Sequence, residues 1–372
     1  MVDVSIVHEK QLASKILVDI SAHGFGHLAQ TVPMIEALRS ELPQVEFVIR
    51  TGVPPRVIEE RLGHSICIVP SDFDFGLVMN SPFDVNRQAS FARYAALHRD
   101  YEAVVQALAS WIRQEGFAGV LSNISYPVIA GAHYAGVPVV AVSSLNWLEM
   151  FNHYCGSFEG GDEIAEQIRA SYLKASVFCR LLPGTPMPDL RTTVITEPVV
   201  RVGTSQRETL LKRLGRNSET RIVVFAFGGM SGESGPPWSV ATNKDCLLFG
   251  PESWARERPW TPIDAGGIPF IDLLASADAV ITKPGYGIVS EVAALGVPTL
   301  LLTRGDWPEE PYLVDWLRDH GRCEYLDLTL DALDSTLAFE CIDKLTRMRP
   351  KCAVRGGGER QVAAIMRQVL QS

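Results

Sequence analysis

Residues 23–27 read His23-Gly24-Phe25-Gly26-His27, two imidazoles and two glycines between the apolar run KILVDI and the helical pattern TVPMIEALRS. Glycine lets backbone approach a ligand closely, and an imidazole titrating near neutral pH can take up a proton. The stretch reads as a phosphate loop, a general-base loop or a tight turn without chemistry. A second glycine pair, Gly228-Gly229, follows RIVVFAF. A third cluster, Lys283-Pro284-Gly285-Tyr286-Gly287, follows ADAVIT and leads through Ile288 to Glu291 in the first turn of a predicted helix. The N-terminus of such a helix can hold phosphate. A glutamate one turn in can cap the helix or accept hydrogen bonds from ribose hydroxyls. An acidic loop with Asp306, Glu309 and Glu310 lies beyond the next apolar run, PTLLLT. Neither of the first two loops matches a dinucleotide fingerprint or a P-loop. Asn123 ends the run AGVLSN, and Asn146-Trp147 follow PVVAVSSL. Asn123 reads as a site hydrogen-bonder or a strand cap, and Asn146-Trp147 as an amide beside a sugar-stacking ring or as a partly buried interdomain Trp.

Two sets of alternating elements must position these groups. KILVDI, VEFVIR, SICIVP, AGVLSN and PVVAVS are strand-like, and TVPMIEALRSEL and ARYAALHRDYEAVVQALASWIRQEG carry helical spacing between them. Alternation of this kind predicts parallel βαβ units. Residues 183–204 are rich in Pro and Thr and read as a linker. The pattern then restarts with RIVVFAF, DCLLF, ADAVIT, PTLLLT and CEYL, with IPFIDLLASA and IVSEVAALG as helices. The expected fold is α/β, two Rossmann-like domains over 1–183 and 205–352, followed by a terminal helix in 353–372 that could pack back on the first domain. Ligands would lie outside the carboxyl ends of the strands, where all the glycine loops point.

Composition narrows the partners. The chain has 372 residues and a net charge of −9, from 34 basic and 43 acidic side chains, which argues against a nucleic-acid binder. Seven cysteines, with no CxxC pair, suggest a reducing compartment and no metal site. The first residues make a poor signal peptide and no apolar run is long enough to span a bilayer, so a cytoplasmic protein is expected. No protein partner can be inferred.

The order strand, glycine turn, Gly287-to-Glu291, Gly296-Val297-Pro298, strand and acidic loop resembles the nucleotide-sugar motif of GT-B glycosyltransferases. The GxGH loop of Gly24 to His27 resembles the acceptor-side histidine loop of the same enzymes. A closer resemblance is to the glycosyltransferase-like N-terminal half of plant L-arabinokinases: the GFGH loop, Pro183-Gly184-Thr185-Pro186-Met187-Pro188, Lys283 with Gly285 to Glu291, and Glu309-Glu310-Pro311, in that order. The kinase half of those enzymes has no counterpart here.

The resemblance implies inverting transfer of a sugar from a UDP- or dTDP-sugar to an unknown acceptor, with no cofactor and no obligatory metal. It implies His27 as general base at the domain gap, with His23 as competitor, and an acceptor side of Gly24, Gly26, Asn123, Asn146 and Trp147. Asn123 falls where the family often has an acid beside the base. The donor would rest on Gly228, Gly229, Lys283, Gly285, Gly287, Ile288, Glu291, Glu309 and Glu310. Ile288 stands where a phosphate-binding hydroxyl is frequent. An epimerase or hydrolase of the same fold, or a catalytically silent nucleotide- or sugar-binding protein, are the rival expectations.

Overall fold

The computed structural model describes residues 15–24, 26–64, 66–71, 73–81, 84–190, 193–227, 246–256, 260–351 and 354–372. Gly228 and Gly229 lie outside them. The strands are β1 (Lys15–Ile20), β2 (Glu46–Thr51), β3 (Cys67–Pro70), β4 (Met79–Ser81), β5 (Asp84–Val85), β6 (Gly119–Asn123), β7 (Val139–Ser143), β8 (Val177–Leu181) and β9 (Thr193–Thr196), then β10 (Arg221–Ala226), β11 (Cys246–Gly250), β12 (Trp260–Pro262), β13 (Ala279–Thr282), β14 (Thr299–Leu302) and β15 (Cys323–Leu326). The α-helices are α1 (Gly26–Glu41), α2 (Pro55–Leu62), α3 (Arg87–His98), α4 (Tyr101–Glu115), α5 (Tyr126–Ala135), α6 (Trp147–Cys155), α7 (Gly161–Tyr172), α8 (Arg207–Arg213), α9 (Phe270–Ser276), α10 (Tyr286–Leu295), α11 (Glu310–His320), α12 (Ser335–Arg347) and α13 (Gly358–Gln371).

The first sheet is parallel with order β3-β2-β1-β6-β7-β8-β9, and the second is parallel with order β12-β11-β10-β13-β14-β15. Each runs outward in both directions from its first strand, so each reverses beside that strand, at β1/β6 and at β10/β13. Ligands of doubly wound sheets sit at such switch points.

Both faces of each sheet are buried, as parallel sheets require. Along β1, Leu17 joins the layer of Tyr94, Leu108, Ile129 and Phe151, while Ile16, Val18 and Ile20 join the layer of Leu28, Ile35 and Met366. In the second domain Ile222 and Val224 pack with Leu273 and Val292, and Val223 and Phe225 pack with Trp254 and Ile342.

Two boundaries differ from the sequence reading. The sheet of the first domain continues beyond residue 183, because β9 pairs with β8 inside the stretch read as linker. Its four residues are Thr-Val-Ile-Thr, β-branched throughout but too short to stand out between prolines. The single helical run read over 92–116 is two helices, α3 and α4, separated at Arg99-Asp100.

Candidate functional site

β1 ends at Ile20, and the chain turns through His23 and Gly24 into α1. Gly24 has φ +77°, a left-handed conformation that favours glycine. Gly26 and Gly287 have no such φ, and a Cβ built on either would meet no atom within 4 Å. Among the described residues, neither backbone conformation nor packing asks for glycine at these two positions. Both stand at the start of helices that follow switch-point strands, α1 and α10, with open space before them.

His27 begins α1 next to the end of β6. Its Nδ1 lies 2.8 Å from Asn123 Oδ1. Asn123 Nδ2 donates to Gln30 Oε1 at 3.1 Å, and with the amide in this orientation its Oδ1 accepts from a proton on Nδ1 of His27. As a neutral ring, His27 keeps its lone pair on Nε2. Burial pushes its pKa down to about 4 against the upward pull of the Asn123 bond. His23 has the complementary arrangement: the Leu77 backbone N–H donates to its Nδ1 at 3.3 Å, which leaves Nε2 as the protonated nitrogen. Burial, then the neighbouring His27 and Arg304, push His23 down to about 3. His23 also meets the Phe75 backbone, so the two rings carry opposite tautomers, with the proton of His23 on the nitrogen that Leu77 does not reach.

The second domain meets this loop directly. Trp307 stacks on His23 with ring centroids 6.1 Å apart. Glu309 Oε1 accepts from Ser144, which follows β7, at 2.7 Å. Lys283 follows β13, and burial with the nearby Arg304 lowers it to about 8. Arg304 follows β14, lies 4.0 Å over the Trp307 ring, and keeps a buried Nε without a hydrogen-bond partner among the described residues. Two cations thus stand at the carboxyl edge of the second sheet, Arg304 near enough to act on His23 and Lys283 beside Arg304.

Several expected site residues are used otherwise. Asn146 caps α6 through Oδ1, which accepts from the Glu149 N–H at 2.9 Å. Trp147 is fully buried, with its ring 5.2 Å from His23 and 5.7 Å from His27, so it walls the histidines from within the domain and does not present a face to a sugar. His27 is correspondingly only 6% exposed. Glu310 gives Oε1 to Thr303 and Tyr325 and Oε2 to the Arg304 N–H, which fixes the loop before α11. Glu309 gives Oε1 to Ser144 and Oε2 to Trp307. Neither glutamate has a carboxylate oxygen left without a protein donor. Ile288 packs into the core beneath α10. Glu291, on the same helix, pairs through Oε1 with Arg201 at 3.1 Å. Gly285 has an extended φ and only Ile288 Cγ2 within 4 Å of a built Cβ.

Sequence reasoning passed over Gln30 and Ser144, which connect His27's partner to Glu309, and Asp74, a buried carboxyl behind the His23 loop. Gln30 carried a signal, a lone amide three residues after His27 on the apolar side of a helix. Among the described residues there is no group of three or more side chains able to hold a metal ion, and no helix long and apolar enough to cross a membrane.

These features define the two-domain GT-B architecture. The chain is similar in structure to the calicheamicin glycosyltransferase CalG4 (TM-score 0.63, 15% identity, 96% of this chain and 98% of the other) and to the glycosyltransferase of kitacinnamycin (TM-score 0.62, 12% identity, 96% and 95%). It is similar in the same way to a Listeria monocytogenes protein described as a UDP-N-acetylglucosamine 2-epimerase (TM-score 0.55, 15% identity, 97% and 96%). In sequence it is 27% identical over 303 residues to the L-arabinokinase of Arabidopsis thaliana, covering 80% of this chain and 29% of that protein. The chain thus spans less than a third of that relative. No family model matches.

Proposed function

We propose that the chain is an inverting glycosyltransferase that takes its sugar from a UDP- or dTDP-sugar, with His27 as the general base. The observation that carries this reading is the pair of helix-opening glycines, Gly26 and Gly287, where a Cβ would meet nothing within 4 Å among the described residues and φ does not call for glycine. Close approach of a ligand on both sides of the junction supplies the reason for glycine.

In the proposed reaction the acceptor hydroxyl attacks the anomeric carbon. Its proton passes to His27 Nε2 as the new C–O bond forms. The bond from the anomeric carbon to the diphosphate breaks, and the electron pair leaves with the diphosphate. Lys283 and Arg304 would balance the charge that develops there, the task a hydroxyl at position 288 cannot perform in this chain. His23 Nε2–H would donate to the donor sugar or diphosphate. Glu291 would take ribose hydroxyls through Oε2, since Oε1 holds Arg201. Gly228 and Gly229 remain assigned to the donor side by their place after β10.

The burial of His27 behind Trp147 favours a second reading, a protein of the same fold that binds nucleotide sugar without transferring it. One experiment separates them. UDP, dTDP, ADP and GDP are tested for a rise in melting temperature, and a donor panel is then assayed for nucleoside diphosphate release with and without sugar and aglycone acceptors. UDP or dTDP should stabilise, since binding to the folded state alone shifts unfolding. A shift without turnover supports the silent reading, and no shift at millimolar nucleotide removes both.

A further inference from the structure

Five side chains run in one line from the first domain into the second. His27 Nδ1–H meets Asn123 Oδ1 at 2.8 Å, and Asn123 Nδ2 donates to Gln30 Oε1 at 3.1 Å. Gln30 Nε2 donates to Ser144 Oγ at 3.0 Å, and Ser144 Oγ donates to Glu309 Oε1 at 2.7 Å. All five residues are buried.

Two carboxamides in such a line can turn over, since their oxygen and nitrogen ends are nearly the same shape. A line of amides and a hydroxyl therefore has two polarities, and its ends choose between them. A carboxylate can only accept. With Glu309 ionised at one end, Ser144 must point its proton there and receive Gln30 Nε2. Gln30 then shows its oxygen to Asn123, which shows its own oxygen to His27. His27 is left with its proton on Nδ1 and its lone pair on Nε2. In the opposite polarity Asn123 would donate to Nδ1, and the proton would sit on Nε2. Burial pushes the Glu309 carboxyl above the usual glutamate range, and the Ser144 bond, the cation of Arg304 and Trp307 Nε1 on Oε2 each pull it back toward the carboxylate that this polarity requires. A local contact, Asn123 Nδ2 to the His27 carbonyl at 3.5 Å, leans the same way but is long for a hydrogen bond.

We infer that Glu309 is a positioning residue that acts from the second domain through Ser144, Gln30 and Asn123 to fix the tautomer of His27, so that Nε2 is the free base. The inference deepens the glycosyltransferase reading and rests on it only for what Nε2 then does. Because Ser144 and Glu309 belong to different domains, the tautomer is correct only while the two are in contact.

The test reads the tautomer itself. The full chain is labelled with nitrogen-15 in histidine, and the His27 ring, assigned by comparison with His27→Gln, is recorded without ligand in the wild type, Glu309→Gln and Ser144→Ala. Glu309→Gln keeps the shape and removes the charge. Ser144→Ala keeps the charge and cuts the line, and stands in if the first variant fails to fold. The expected result is a wild-type ring with the proton on Nδ1 and a shift of at least a third of the population to the Nε2–H form in either variant. An unchanged tautomer in both folded variants overturns the proposal, as does a wild type that already holds its proton on Nε2. Any transferase activity should fall by about 10–100-fold in kcat in either variant, the usual cost of losing a partner that orients a site histidine, with KM for the donor little changed. A tautomer that shifts in a protein that transfers no sugar keeps the relay and discards the glycosyltransferase reading.

Discussion

Asp74 stands behind the His23 loop, and burial followed by the nearby Asp19 raises its carboxyl from 3.8 to about 7. Ser21 and Trp147 beside it pull the carboxyl partly back down, though among the described residues no donor reaches Oδ2 in good hydrogen-bond geometry. A carboxyl with a raised folded pKa binds its proton more tightly in the folded state, so its contribution is most favourable below pH 3.8 and is lost as pH rises through about 7. The shift sets a ceiling of about 4 kcal/mol. Asp74→Asn should therefore stabilise the protein at pH 8 by roughly 1–4 kcal/mol in urea unfolding, and by clearly less at pH 5. Equal destabilisation at both values would mean that the ionised carboxylate is held favourably by Arg50. His27 has the opposite sign. Its folded pKa of about 4 lies below the ordinary 6.5, so its contribution is whole above pH 6.5 and is lost as pH falls toward 4. The same depression keeps its Nε2 free of a proton in mild acid. The pH profile of kcat/KM for transfer should then lack a limb near pH 6.5 and stay level down to about pH 5; a drop centred at 6.5 would place the ring in water. His27→Gln should lower transfer by about 10²–10⁴-fold, the range for a general base, while nucleotide affinity holds.

Gly26 and Gly287 make a different kind of test, because α1 and α10 can be asked separately for stability and for binding. A methyl at either position meets no atom within 4 Å, so alanine should cost no stability and can add up to about 1 kcal/mol through helix propensity. Nucleotide affinity by calorimetry should fall about tenfold for Gly287→Ala if a ligand lies against that helix end, as an ill-placed methyl readily takes about 1.4 kcal/mol. Gly24→Ala should instead cost about 1–2 kcal/mol in unfolding, because φ is +77° there. Much of this was legible in the chain. KILVDI, VEFVIR, AGVLSN, PVVAVS, RIVVFAF and ADAVIT are all strands of the structure, since short β-branched runs buried on both faces have a composition of their own. The GxGH and KPGYG stretches were legible as turns, because each joins a strand to the helix that follows it. The elements that escaped include short strands, as β9 and β12, and whole helices that the reading did not single out, as α7 and α12, while α3 and α4 were merged by periodicity. The roles of Asn146, Glu309 and Glu310 escaped for another reason. Each makes its bonds with residues brought near by folding, and no local spacing announces whether a carboxylate will meet a ligand or a neighbouring hydroxyl.

The whole molecule is tied together in both directions, which bears on how it unfolds. Tyr286 of the second domain lies in the hydrophobic layer of the first, and the Val199 N–H donates to its hydroxyl at 2.9 Å. Asp306 receives Arg87 at 2.7 Å and His153 at 2.5 Å, both from helices of the first domain. The strongest tie is α13, which follows the second domain in sequence but packs against α1, β6 and β7. Val362, Ala363 and Met366 are fully buried in the layer that holds Ile16, Leu28 and Ile35. At Gly119 a Cβ would fall 2.5 Å from Leu370 and 2.6 Å from Met366, so the helix lies directly on β6. Its start is pinned as well, with Glu197 N–H bonded to Gln361 at 2.7 Å and Gly357 and Gly358 N–H to the Pro198 carbonyl at 3.2 Å. The first domain therefore has its core closed by residues about 350 positions away from β1, and the second cannot open fully without disturbing it. Two expectations follow from this arrangement. Unfolding in urea should be one transition, the same by tryptophan fluorescence and by circular dichroism, where two independent domains would give two. Met366→Ala should move that whole transition, by roughly 2–4 kcal/mol for a large side chain lost from a packed core, and should not split it. If Met366→Ala instead produces an early phase that leaves the second domain folded, α13 closes the first domain alone and the coupling through Tyr286 and Asp306 is too weak to hold the two together.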